Sequence, residues 1–156
     1  MKDVADELDK IIKDFAKKID ELSDSDFEQK ANPRKWSKKE VVGHLIDSGQ
    51  TNLRRFICGQ YDSSPSKIVY DQDFWVSANR YQEMERKDIM ALWRLVNLQI
   101  AKVLRAMPVE NYNKSCDTSK GEPQLRTLEW LAVDYVKHFK HHLNQIIPSS
   151  FNITYP

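Results

Sequence analysis

The sequence has only two cysteines, four glycines and six prolines among the residues that most constrain a backbone. Cys58 and Cys116 stand far apart, which excludes a disulfide framework or a zinc knuckle and leaves two ordinary reduced thiols. No apolar run is long enough to span a membrane. Residues 1–14 are charged and amphipathic and lack the apolar centre of a signal peptide, so the expected location is the cytoplasm. Charge of one sign is lacking too: 24 basic residues face 23 acidic ones, for a net charge of +1. Without a global field to draw in nucleic acid or an anionic membrane, the balance argues against a dedicated DNA binder without excluding one. No nucleic-acid or membrane partner is expected, and the histidine pattern described below points to a small-molecule substrate. What remains is a chain of 156 residues, 40% hydrophobic and 30% charged, which is enough for one packed domain over 1–156.

The apolar residues recur at steps of three and four, as helices require. Val4, Leu8, Ile11, Phe15, Ile19 and Leu22 predict a first amphipathic helix, followed by a polar connection over 23–35. A second helix opens at Ser37, whose hydroxyl can cap the free backbone N–H groups while Glu40 reaches back to Ser37. Its stripe is Val41, Val42, Leu45, Ile46, Leu53, Phe56 and Ile57, with a stop expected near Gly59. Residues 60–86 read as a long crossover with a short helix over 73–81. Connections of that length are usually functional or mobile. Ile89, Leu92, Trp93, Val96, Ile100, Val103, Leu104 and Met107 define a third helix closed by Pro108. A polar loop over 109–126 leads to Thr127, the expected cap of a fourth helix. That helix buries Leu128, Ala132, Tyr135, Val136, Phe139, Leu143 and Ile146 and ends before Pro148. The short tail beyond can pack as an extended strap. The fold class is all-α, a four-helix bundle with two long crossovers.

Three of the four histidines fall within five residues. His138 and His142 are four apart, so they stack on one helix face and can converge on one ion. At about 100° per residue they sit on the shoulder of the apolar stripe, while His141 points nearly away from it and toward water. A pair of this kind also occurs as two solvated histidines. His44 is the one remaining candidate for a third ligand. It lies off the apolar stripe of the second helix, so a shared site would occupy an open groove near the surface. Three protein ligands leave a coordination position for water or substrate, as in catalytic rather than structural metal sites.

The segment Lys35-Trp36-Ser37-Lys38-Lys39-Glu40-Val41-Val42-Gly43-His44-Leu45 resembles the W-S-x-x-E-x-x-x-H-L opening of the DinB/YfiT-like family. His138, His141, His142 and Gln145 are similar to its closing motif, and the likeness spans residues 6–147. The resemblance implies an up-down-down-up four-helix bundle in which His44, His138 and His142 hold one divalent metal ion, often in a homodimer. It also implies thiol-dependent transfer or isomerisation using bacillithiol, mycothiol or glutathione, or metal-dependent hydrolysis. The family's name does not imply DNA binding.

A neutral imidazole trio leaves the metal charge uncompensated, so the pKa of a bound water or thiol falls toward neutrality. Thiolate formation suits a thiol-S-transferase acting on a small electrophile, and hydroxide formation suits a hydrolase. A non-catalytic metal- or ligand-binding stress protein is the third reading. Nitrogen ligands suit zinc, nickel, iron and copper alike. Asp134 and Gln145 are candidates to orient the imidazoles. Ser48, Asn52 and Arg55 continue the line of His44, and Asn52 and Arg55 are candidates to bind a thiol cofactor or a substrate carboxylate. Trp36 is expected to staple the start of the second helix, and Trp93 and Trp130 to pack in or near the core. Trp75 is either a lid over the groove or a core residue. Arg34, Lys35, Lys38 and Lys39 read as a solvated turn.

Overall fold

The computed structural model describes residues 1–155. Four long helices, α1 (Lys2–Asp20), α3 (Lys38–Tyr61), α5 (Arg86–Ala106) and α6 (Leu128–Ile146), carry the fold. Two short helices, α2 (Asp24–Glu28) and α4 (Gln72–Asn79), sit in the first two crossovers. The third crossover holds strands β1 (Ser115–Asp117) and β2 (Leu125–Thr127).

Contacts at the helix ends set the directions. Arg86, at the start of α5, donates to the carbonyls of Ile19 and Leu22 at the end of α1, at 2.6 and 2.8 Å. Arg105, at the other end of α5, pairs with Asp6 and Asp9 near the start of α1. Those two helices are therefore antiparallel. Lys39 reaches the Gln82 carbonyl just before α5, and Asn111 just after α5 donates to Gln60 near the end of α3. Hence α3 and α5 run parallel, which only a long crossover can connect. Lys140 pairs with Glu7 at 2.6 Å and Phe151 stacks on Phe15 at 5.0 Å, so α6 runs with α1. The result is an up-down-down-up four-helix bundle.

Local signals start the helices where expected. Ser37 Oγ accepts from Glu40 N–H at 3.1 Å, and Ser37 N–H donates to Glu40 Oε2 at 2.8 Å, closing the capping box. Thr127 caps α6 by accepting from Trp130 N–H. Trp93 is fully buried and stacks on Phe139 at 5.7 Å.

Several details differ from the sequence reading. Phe27 buries a one-turn helix, α2, within the polar connection, with Ser23 as its cap. Helix α3 passes through Gly59 and ends at Tyr61. A Cβ at Gly59 would come within 2.7 Å of Leu128 Cδ2, so this glycine makes room for α6 and does not end α3. Strands β1 and β2 are three residues each, too short to show a period. Trp130 is 45% exposed, with the Arg126 guanidinium over its ring. Lys39 is only 3% exposed, its ammonium held by Glu28 and the Gln82 carbonyl, because α2 and the second crossover close over it.

Helix α3 lies against α5 and α6 and is covered by α4 on a third side. Apart from the half-buried Lys38 and Gln50, every residue from Ser37 to Asn52 is buried. At Gly43 a Cβ would lie 2.1 Å from the Tyr81 ring, so only glycine lets that crossover ring pack flat on the helix.

The hairpin is held by one carboxylate. Asp117 Oδ1 accepts from Ser119 Oγ at 2.6 Å, Ser119 N–H at 2.9 Å and Gln124 N–H at 3.0 Å. The Ser119 hydroxyl and then the two backbone N–H groups pull its pKa from 3.8 down to about 2. An ionised group with a depressed folded pKa stabilises the fold above the unfolded value, and that contribution is lost as pH falls through the folded one. Asp117→Asn should therefore lower the melting temperature at neutral pH. The gap to wild type should close between about pH 4 and pH 2, as followed by circular dichroism melts.

Candidate metal centre

The three histidines come from two antiparallel helices. His44 sits in the second turn of α3, and His138 and His142 sit one turn apart on α6. Helical spacing aligns the second pair, and the packing of α6 on α3 brings both to His44. His44 Nε2 and His138 Nε2 are 3.2 Å apart, and one ring nitrogen from each of the three histidines lies within 4.8 Å of the others. Ring centroids are separated by 4.5 Å for His44 and His142 and by 4.4 Å for His138 and His142.

His44 is fully buried, not at an open surface groove as its helical phase suggested. The polar side of α3 is covered rather than solvated. Trp36 lies on the His44 ring at a centroid distance of 4.9 Å, and Tyr70 stacks beyond it at 6.5 Å. Trp75 meets Tyr70 edge-on at 5.6 Å, so it braces the tyrosine that faces the site. The tail behaves as a strap: the Asn144 side chain exchanges two hydrogen bonds of 2.9 Å with the Phe151 backbone. Farther on, Tyr155 packs on His138 and on His141, 5.6 Å from each, and donates to Asp134 at 3.2 Å. That tyrosine also half-covers His141, which does not stand free in water.

Burial pushes the His44 pKa down to about 3, with a further contribution from nearby His142. It pushes His142 down to about 4 and His138 well below its ordinary value. The trio is therefore neutral at physiological pH, with lone pairs available to a cation. The outer nitrogens are partly engaged. Gln145 Oε1 lies 3.1 Å from His142 Nδ1, and its amide nitrogen lies 3.3 Å from His141 Nε2. Ser48 Oγ lies 3.5 Å from His138 Nδ1. Asn52 donates to the Ser48 carbonyl at 2.9 Å. Arg55 donates to Asn52 at 3.3 Å and spends the rest of its fork on the Ile68 carbonyl, at 2.6 and 3.0 Å. Asp134 is a partner of Tyr155 and not of an imidazole.

The donor set fits a divalent cation. Zn–N bonds of about 2.0–2.1 Å in a tetrahedron put two nitrogens roughly 3.4 Å apart, close to the 3.2 Å between His44 and His138. On the solvent side, Trp36 and Gln145 line a cavity of about 560 Å³ together with Arg34, Lys35, Lys38 and Asp73.

The model of the DinB superfamily matches residues 7–146. The chain belongs to this superfamily. Among curated proteins it is similar to YfiT of Bacillus subtilis (strain 168), which carries the name "Putative metal-dependent hydrolase YfiT". The identity is 23% over 131 residues, which is 82% of this chain and 71% of YfiT. The solved structure of Bacillus subtilis YfiT, a four-helix bundle of unusual topology, superimposes with a TM-score of 0.75 at 21% identity. The match covers 91% of this chain and 83% of that one. Both the DinB/YfiT-like resemblance and the bundle are thus established for this member of the superfamily.

Tyr70 and Tyr155 were not singled out in the sequence. Tyr70 stands in the aromatic crossover segment already marked by Trp75, and that was the available signal. Nothing in the tail announced Tyr155. If Trp36 shields the site, His44 of the wild-type protein should resist diethyl pyrocarbonate. Trp36→Ala should make it reactive, as read by peptide mass spectrometry.

Proposed function

We propose that this DinB-superfamily protein is a metal-dependent enzyme in which His44, His138 and His142 hold one divalent cation. The reading rests on one observation, the convergence within 4.8 Å of three neutral imidazole nitrogens, from one buried and two half-buried rings. A cation held there supplies Lewis acidity and makes a thiol or a water molecule a competent nucleophile near neutral pH. Zinc, nickel and iron all suit the nitrogen set.

The chain's own residues supply position and exclusion. Ser48 and Gln145 fix two imidazole rings, and Trp36, Tyr70 and Tyr155 keep bulk water from their faces. The cavity outside Trp36 takes a small substrate, and exposed Arg34 and Lys35 on its rim favour one carrying negative charge. Transfer of a low-molecular-weight thiol to a small electrophile is the first reaction class. Within it, Asn52 and Arg55, next along α3 after Ser48, are the candidate contacts for the thiol cofactor, with Arg55 exchanging its hold on the Ile68 carbonyl for the cofactor. Hydrolysis is the second, supported by the name of the similar protein YfiT.

Elemental analysis of purified protein should find one equivalent of divalent metal per chain. The His138→Ala, His142→Ala double variant should lose it, whereas His141→Ala should keep it. Turnover of an electrophile panel, with and without added thiols, should vanish on chelation and return with a single metal. Equal metal content in wild type and the double variant would remove the assignment.

A further inference from the structure

The three ligand rings differ in how their outer nitrogens are held. His138 Nδ1 has Ser48 and His142 Nδ1 has Gln145, but His44 Nδ1 is buried with no hydrogen-bond partner. A neutral imidazole carries one proton. When Nε2 gives its lone pair to a cation, that proton must be on Nδ1, where an acceptor is required. An unsatisfied buried donor costs about 1–3 kcal/mol, and metal-bound histidines almost always donate from their second nitrogen.

One turn along the same helix is a matching defect. Asp47 is also fully buried. Its Oδ1 accepts from Tyr81 O–H at 2.6 Å and from Asn79 Nδ2 at 3.0 Å, while Oδ2 has no partner. His44 and Asp47 are three residues apart on α3, the spacing at which helical side chains are neighbours. The second crossover thus holds one carboxylate oxygen and leaves the other without a partner among the described residues, one helical turn from a ring that needs an acceptor; the two atoms are not hydrogen-bonded to each other in this structure.

We propose that Asp47 is the positioning residue for His44: its free oxygen accepts the Nδ1 proton when the ring binds the cation, and Tyr81 and Asn79 hold the carboxylate for that purpose. This rests on the metal-centre reading above. The carboxylate fixes the tautomer and the ring orientation and raises the basicity of Nε2. It also gives Tyr81 and Asn79 a role at a site they do not touch. Glycine at position 43 has the same logic, since it lets the Tyr81 ring lie close enough for its hydroxyl to reach Asp47.

The test is zinc affinity of chelator-stripped full-length protein, measured by competition with a chromophoric chelator. Asp47→Asn keeps an oxygen for Tyr81 and Asn79 but replaces the free acceptor with an amide. It should weaken zinc by about 10–100-fold. Tyr81→Phe, which loosens the carboxylate, should weaken it several-fold. The double variant should be no weaker than Asp47→Asn, because both changes break one chain. In the zinc-loaded wild type, the His44 Nδ1–H resonance should be hydrogen-bonded and protected from exchange, and Asp47→Asn should abolish that protection. If Asp47→Asn does not fold, the Tyr81→Phe affinity and the His44 resonance decide alone. Tight zinc binding by wild type with affinities within twofold for the variants would overturn the role of Asp47 and leave the metal centre standing. Failure of wild type to bind zinc, nickel or iron would overturn the metal centre itself.

Discussion

The structure depends on the burial of the first half of α3 on nearly every side. A helix in that position cannot turn its polar residues to water, so each must find a partner inside the protein. Glu40 takes the Ser37 backbone and the Lys30 ammonium, Lys39 takes Glu28 and the Gln82 carbonyl, and Asn52 takes the Ser48 carbonyl. His44 breaks this pattern, because what faces its Nε2 is another imidazole nitrogen. Two neutral rings can share one proton between such nitrogens, but a third ring pointing at the same spot cannot be satisfied in that way. An electron-poor centre satisfies all three at once. That is the physical argument for a cation, and it does not depend on any relative.

The crossovers explain themselves once α3 is seen as the central element. Parallel α3 and α5 need a long connection, and that connection is used as a cover. Its residues Tyr70, Trp75, Asn79 and Tyr81 form the wall over His44 and Asp47. The connection is tied back at Ile68, whose carbonyl accepts from Arg55 and whose N–H donates to Asp117 of the hairpin. The same exclusion of water that keeps the imidazoles neutral pushes the Tyr70 phenol up to about 12, so it stays a protonated, uncharged wall. Packing and protonation therefore have one cause.

The candidate site was legible in part, for reasons that follow from helix geometry. The four-residue step from His138 to His142 fixes their common face without knowledge of anything else in the fold. His141 was separated from them by the same arithmetic, although the tail later covers half of it. Gln145 could be read as a neighbour of His142 because it lies on the next turn. Helical phase failed at His44, where a position off the apolar stripe was taken to mean solvent. Polarity of a face tells what it can bond to, not whether another segment lies over it. Lys39 was misread for the same reason, and Trp130 in the opposite sense.

By itself, the sequence determined the helices, their caps at Ser37 and Thr127, and the chemical identity of the candidate ligands. These depend on side chains within a few residues of one another, where backbone geometry leaves little choice. The tertiary structure decided that ring nitrogens 94 residues apart come within 3.2 Å of each other. It also decided that Tyr70 and Tyr155 pack against the histidines and that Asp47 is buried one turn along α3 from His44 with one oxygen unpartnered among the described residues. Those facts come from which faces pack together and from the paths of long crossovers, and local periodicity does not record either.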